Sequence, residues 1–179
     1  MAGISVGNSG KLWVRISLLW VSVQGKMSFI SRYEYSLDTK GRLNIPAKFR
    51  EILLRDYDYN LVITTALDGY LDCFPRQIWT QLENELKALP SSRIEVKRFK
   101  RFYLSGAVEC SLDKQGRVLL PPTLRSWAGL DQECNNVVIV GNMDKMEFWS
   151  QDRWQVEESE TIKSSADISA VLGELGVMI

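Results

Sequence analysis

The chain has 179 residues, of which 45% are hydrophobic and 25% are charged, and its 22 basic residues balance 22 acidic residues. This composition indicates a globular protein, and the zero formal net charge means that any nucleic-acid binding must come from local patches. The chain contains no histidine, which removes the commonest general base and the usual zinc ligand and argues against an enzyme. Cys73, Cys110 and Cys134 lack the C-x-x-C spacing of metal or redox sites, so we interpret them as reduced, buried apolar residues and expect no cofactor.

Residues 1–26 form a segment of their own. Leu12 to Val23 is mostly apolar, but Arg15 interrupts it and it is too short to span a bilayer. Met27 follows directly, so either Met1 or Met27 is the native start. We expect residues 1–26 to be an atypical, dispensable or disordered extension, and we expect no membrane association.

The first half of the remaining chain predicts alternating strands and helices. Leu43 and Ile45 share one face of a strand and Arg42 and Asn44 the other, because side chains alternate with a period of two. The predicted elements are a strand over Arg32 to Leu37, a turn at Asp38 to Gly41, a strand ended by Pro46, a helix from Pro46 to about Arg55, strands over Leu61 to Thr65 and Tyr70 to Phe74, and a helix over Arg76 to Leu89.

The second half predicts the same plan. Ser92 to Leu104 indicates a basic amphipathic helix, which is either a solvated face, a subunit contact or a DNA backbone contact. After it come strands over Val108 to Leu112 and Arg117 to Leu120, a helix from Pro121 to a stop at Gly129, and paired strands over Val137 to Val140 and Met146 to Trp149. The acidic, serine-containing segment after Trp154 has weak periodicity and predicts a loosely held tail.

The two halves contain a repeated segment. Glu34 to Arg50 reads EYSLDTKGRLNIPAKFR and Glu109 to Arg125 reads ECSLDKQGRVLLPPTLR. The aspartates are separated by 113 − 38 = 75 residues and the arginines of the motif by 117 − 42 = 75. This constant spacing predicts a folded module used twice, with no insertion or deletion between the copies.

Both copies keep a polar turn, Asp-x-x-Gly-Arg. Asp38 and Asp113 suit the start of a tight turn because a carboxylate accepts backbone hydrogen bonds, and Gly41 and Gly116 tolerate positive φ. One interpretation is structural: each Asp-Arg pair clamps its own hairpin. The other is functional: Arg42 and Arg117 present guanidinium groups to phosphate or guanine in the major groove, and Lys40 and Lys114 add phosphate contacts. These alternatives remain open at the level of the sequence.

Three sequence elements resemble the MraZ family of bacterial transcriptional regulators, within the AbrB-like swapped-hairpin superfamily. They are the repeated S-L-D-x-x-G-R-[LV]-x-[IL]-P element, L-S-G-A-V-E at Leu104 to Glu109, and G-N-M-D-K-M-E-F-W at Gly141 to Trp149. The resemblance runs from about Met27 to Trp154. It implies an α+β, mainly β fold: a tandem pair of swapped-hairpin β-barrel modules with packed helices. It also implies a ring of subunits on direct repeats of double-stranded DNA, in the promoter of its own operon in the division and cell wall gene cluster, with DNA contacts at Asp38, Arg42, Asp113 and Arg117.

The resemblance and the repeat together predict a domain plan: modules over 32–77 and 107–150, connecting helices over 78–106, and a C-terminal helix with an acidic tail over 151–179. We expect a cytoplasmic, nucleoid-associated protein without a small-molecule ligand. Gln115 stands where the first copy has Lys40, so we expect Arg42 to be the stronger determinant. The alternative function is a ring-forming scaffold that binds another protein; paired-carboxylate hydrolysis, for example by Asp38 with Asp68 or Asp72, finds no support in the spacing.

Overall fold

The computed structural model describes residues 28–130 and 135–177, so the predictions for residues 1–26 and Cys134 lie outside the described residues. Within these ranges eight strands and six helices follow one another. In chain order they are β1 (Arg32–Ser36), β2 (Arg42–Asn44), α1 (Ala47–Asp56), β3 (Asn60–Thr65), β4 (Leu71–Pro75), α2 (Arg76–Ala88), α3 (Ile94–Ser105), β5 (Val108–Ser111), β6 (Arg117–Leu119), α4 (Pro122–Ala128), β7 (Asn136–Asn142), β8 (Lys145–Ser150), α5 (Gln151–Lys163) and α6 (Ser165–Glu174).

The strands of the two copies are interleaved. A six-stranded antiparallel sheet has the order β1-β7-β8-β4-β3-β5, while β2 and β6 form a separate two-stranded sheet, here called the ribbon. The predicted α+β fold is therefore confirmed. One detail of the sequence interpretation is wrong, however, because the strands that flank each turn do not pair with each other. Instead, β1 pairs with β7, β5 with β3, and β2 with β6, so each copy completes the sheet of the other.

The six-stranded sheet is covered on both faces. One face packs against the ribbon, α1 and α4 through a large apolar cluster that includes Leu43, Phe49, Val118 and Phe148. The other face packs against α2 and α3 through a smaller cluster around Phe74, Trp79 and Tyr103. Because both faces are covered, β3 and β4 are buried at almost every position rather than at every second one. The ribbon thus lies on the outside of the larger core.

The predicted elements are confirmed, but one finer expectation is wrong, namely that no insertion or deletion separates the two copies. In β3 and β4 Leu61 lies opposite Pro75, whereas in β7 and β8 it is Val137 that lies opposite Ser150. The equivalent positions of β3 and β7 are therefore separated by 137 − 61 = 76 residues, whereas those of β4 and β8 are separated by 150 − 75 = 75. The second copy has one extra residue before β7, and the hairpin of β7 and β8 is one residue shorter than that of β3 and β4. In the segment expected to contain a C-terminal helix and an acidic tail, the structure has two helices, α5 and α6, and neither has a buried residue.

A buried charge cluster, formed by Asp72, Lys145 and Glu147, lies on the α2 and α3 side of the sheet. Asp72 and Glu147 are directly opposite each other in β4 and β8, and Lys145 Nζ bridges them at 2.6 Å and 3.0 Å. The Tyr103 hydroxyl donates to Asp72 and the Trp149 indole N–H donates to Glu147. Burial opposes the charge of Lys145, but attraction to Asp72 and Glu147 outweighs burial and raises its pKa. A single buried lysine therefore contacts both carboxylates within the fold.

Candidate nucleic-acid interface

The two Asp-x-x-Gly-Arg turns have nearly identical backbone geometry. In the first turn the Gly41 N–H donates to the Asp38 carbonyl at 2.8 Å and the Asp38 N–H donates to the Arg42 carbonyl at 3.0 Å. In the second turn the bonds from Gly116 and Asp113 measure 2.9 Å and 2.8 Å. Both glycines have φ of +78°, which is the left-handed region that the sequence predicted for them.

Each aspartate divides its two oxygens between the backbone and the arginine. Oδ1 of Asp38 accepts hydrogen bonds from the backbone N–H groups of Lys40 and Arg42 at 2.9 Å and 3.0 Å, and Oδ2 accepts one from Arg42 Nε at 2.6 Å. The second turn repeats this pattern: Asp113 Oδ1 accepts from two backbone groups, and Oδ2 accepts from Arg117 Nε and Nη2 at 2.9 Å and 2.7 Å. The carboxylates therefore hold the turn and orient the guanidinium at the same time.

These contacts lower the pKa of both carboxyl groups. For Asp38 the hydrogen bond from the Arg42 backbone is the main cause. For Asp113 the hydrogen bond from the Arg117 side chain is the main cause and brings the pKa to about 2. Both aspartates are consequently ionised at neutral pH, so the structural half of the sequence interpretation, an Asp-Arg clamp in each turn, describes real contacts.

The ribbon presents the two arginines outwards. Leu43 lies opposite Val118, and both are fully buried in the larger core. By the alternation of side chains along a strand, Arg42 and Arg117 lie on the outer face, where their side chains are 31% and 25% exposed. The pairing continues beyond the ribbon at both ends, since Leu120 N–H donates to the Gly41 carbonyl at 2.9 Å and Ile45 N–H donates to the Gly116 carbonyl at 3.0 Å. The site is thus a rigid two-stranded element with a turn at each end.

Each turn also contacts residues of the other repeated segment. Arg117 Nη1 lies 3.7 Å from Asp38 Oδ2, so Asp38 faces both arginines. Arg125 packs against Gly41 and Arg50 packs against Gly116: a Cβ on either glycine would lie within 2.9 Å of the arginine side chain. The sequence analysis assigned no role to these two arginines. The available signal was that each repeated segment ends in an arginine, and 125 − 50 = 75.

The predicted accessory residues fall into two groups. Lys40 and Lys114 are exposed in the turns next to the arginines, as a role in phosphate contact requires. The basic helix α3 is not brought together with them, because it packs on the opposite face of the six-stranded sheet through Tyr103. This placement favours the interpretation of α3 as a solvated face or subunit contact.

The described part of the chain lacks two other types of site. Among residues 28–130 and 135–177, no cluster of three or more histidine, cysteine or acidic side chains could hold a metal ion. Over the same residues, no helix combines the length and the apolar character needed to cross a bilayer.

Both copies of the turn are also matched by a known protein family. The family model described as "MraZ protein, putative antitoxin-like" matches the chain twice, over residues 29–102 and 103–171, and so covers both copies of the turn. This chain belongs to the MraZ family. The resemblance carried by the two repeated segments is confirmed.

Several MraZ relatives cover most of the chain. It is 43% identical over 141 residues to the transcriptional regulator MraZ of Lactiplantibacillus plantarum, and the aligned region covers 79% of this chain and 95% of that protein. It is 46% identical over 133 residues to that of Moorella thermoacetica, covering 74% and 88% of the two chains. For Syntrophomonas wolfei the identity is 40% over 149 residues, covering 83% and 99%. The chain is thus a member of a family of transcriptional regulators, which is not an enzyme class.

Proposed function

We propose that this chain is a sequence-specific DNA-binding regulator that acts on the promoter of its own operon, in the bacterial division and cell wall gene cluster. Arg42 and Arg117 on the outer face of the ribbon contact the DNA, Asp38 and Asp113 orient them, and Lys40 and Lys114 contact phosphates. The observation that carries the proposal is the pair of partly exposed guanidinium groups, each fixed by a carboxylate on a rigid two-stranded element. A two-stranded ribbon fits the major groove, where arginine recognises guanine O6 and N7.

The contacts of the two arginines support an unequal contribution. The ion pair of Arg42 uses its Nε atom, whereas Arg117 uses Nε, Nη1 and Nη2 toward two carboxylates. Arg42 therefore has more of its hydrogen-bonding capacity left for a base or a phosphate. Lys40 is also exposed beside it, whereas the equivalent position of the second turn is Gln115. We propose that the first turn is the stronger determinant.

Weak individual contacts require several copies. A few basic side chains at the ribbon neutralise few phosphates, so one subunit binds weakly and with strong salt dependence. We propose a homo-oligomer, a ring, that binds short direct repeats, because linked modules gain about 10² to 10⁴ in avidity without a new contact. The exposed apolar side chains of α6, Ile168 and Val171, and the absence of any buried residue from that helix support subunit association through the C-terminal region. Action on DNA implies a cytoplasmic, nucleoid-associated protein.

The test is fluorescence anisotropy with the DNA upstream of its own gene and with scrambled DNA of equal length. The parent chain is expected to prefer its own promoter, and Arg42→Ala is expected to lose about 5- to 150-fold in affinity, the range for one bidentate contact to guanine. Arg117→Ala should lose less. If either arginine binds a phosphate instead, its replacement by alanine should reduce the slope of log affinity against log salt by about 0.9 for each phosphate no longer neutralised.

Arg76→Ala is the matched control, because Arg76 is an exposed, ion-paired arginine of α2, outside the ribbon. It should bind both DNAs like the parent. Equal affinity of the parent for promoter and scrambled DNA would contradict the proposal, as would arginine variants that fold and bind like the parent. Either result would favour a protein partner for the ribbon.

A further inference from the structure

The outer face of the ribbon carries two side chains besides the arginines. In the register of β2 and β6, Arg42 lies opposite Leu119 and Asn44 lies opposite Arg117. Because Leu43 and Val118 point into the core, the other positions of both strands point outwards. The outer face therefore presents Leu119 beside Arg42 and Asn44 beside Arg117.

Asn44 and Leu119 occupy equivalent positions in the two copies, since 119 − 44 = 75, but their chemistry differs. Leu119 is 55% exposed, although its neighbour Val118 is fully buried. Asn44 is half-buried, and no described residue hydrogen-bonds its amide. Thus the turns and arginines are nearly symmetric, and these two residues break that symmetry on the outer face.

We propose that Asn44 and Leu119 are specificity-determining residues, and that Asn44 recognises adenine while Leu119 contacts the methyl group of thymine. The inference rests on the proposed function and adds which base pairs the ribbon reads. An asparagine amide can donate to adenine N7 and accept from adenine N6, and an exposed aliphatic side chain suits the thymine methyl group in the major groove.

The dimensions of the ribbon fit this assignment. Positions two apart on one strand are separated by about 7 Å, and opposite side chains by about 5 Å. The four outward side chains therefore span about two base-pair steps of B-DNA, at about 3.4 Å per step along one strand. Arg117 and Asn44 lie at one end of this span, and Arg42 and Leu119 lie at the other. Each end therefore combines an arginine, which reaches guanine or phosphate, with one further side chain, and Asn44 and Leu119 face base pairs about two steps apart. Since the two residues differ, the ribbon has a direction on DNA despite its internal symmetry.

The experiment is selection of bound duplexes from a randomised pool by the parent, Asn44→Leu, Leu119→Asn and the double exchange Asn44→Leu/Leu119→Asn. Asn44→Leu is expected to lose about 5- to 150-fold in discrimination at one A·T pair. The double exchange keeps the composition of the face and is expected to reverse the order of the preferred base pairs. Lys114→Ala, a control in the adjacent turn, should weaken binding to all duplexes equally.

Uracil substitution tests the leucine separately. Replacing the relevant thymine by uracil removes one methyl group, so the parent is expected to bind about fourfold more weakly, whereas Leu119→Asn should not respond. Circular dichroism is the control for folding, and we expect each variant to be folded because both side chains point away from the core. Variants that select the parent's sequence and share its response to uracil would overturn the inference while leaving the proposed function intact. A parent that selects no sequence would overturn both.

Discussion

The buried charge cluster provides the sharpest test of the fold. We expect Lys145→Met to lower the free energy of unfolding by about 3 to 4 kcal/mol at pH 7. The side chain of Lys145 is only 18% exposed, and those of Asp72 and Glu147 are 6% and 10% exposed. Without the lysine, two carboxylates about 5 Å apart would repel by about 3 kcal/mol at an effective dielectric constant of about 20. Loss of one partner from a buried ion pair costs about 3 to 5 kcal/mol, in agreement with this value.

Urea denaturation at pH 7 measures the effect. Methionine is close to lysine in length, so the loss should come from charge and not from a cavity. Lys163→Met, which removes the exposed pair with Glu160, should cost less than about 0.5 kcal/mol. A loss of unfolding free energy below about 1 kcal/mol for Lys145→Met would refute the reasoning.

Three other predictions concern the turns and a thiol. Gly116→Ala should lower the free energy of unfolding by at least about 1 to 2 kcal/mol, because Gly116 has φ of +78° and a Cβ would meet Arg50. At Gly173 a Cβ would meet nothing within 4 Å, so Gly173→Ala should raise the free energy of unfolding by up to about 1 kcal/mol, as measured by thermal unfolding. Asp113 should titrate near pH 2 by NMR, and in Arg117→Gln its pKa should return towards 3.8. The stability that Asp113 contributes is thus present above about pH 4 and lost as the pH falls through 2. An unchanged titration midpoint of Asp113 in Arg117→Gln would contradict the assignment. Burial raises the pKa of the Cys110 thiol to about 12, so peptide-resolved alkylation at pH 8 should be slow in the native protein and fast in denaturant; equal rates would exclude burial as the cause.

The sequence predicted what depends on neighbouring residues. Alternation of Leu43 with Arg42 located the ribbon, and the positive φ of Gly41 and Gly116 followed from the turn motif. The family also followed from the repeated segments. These features are local, so propensity and spacing are sufficient to find them.

Features that depend on distant contacts were missed. Pairing of β1 with β7 is not encoded in either strand, because strand register is set by the packing of the whole sheet. A C-terminal helix was expected within 151–179, but two separate helices were not. Neither α5 nor α6 has a buried residue, and a helix without a buried face need not show apolar periodicity. The contact of Arg125 with Gly41 joins the two copies of the repeat, so it cannot be predicted from either copy alone.

The interleaved sheet has a consequence for synthesis of the chain on the ribosome. β1 ends at Ser36 and its partner β7 begins at Asn136, which is 136 − 36 = 100 residues later. At about 5 to 20 residues per second, the nascent strand waits roughly 5 to 20 s for its partner to be made. During this interval the first half of the protein cannot close its sheet and exposes apolar surface and strand edges that bind chaperones or aggregate. Folding of this chain is therefore a late event, timed by translation of its last strands.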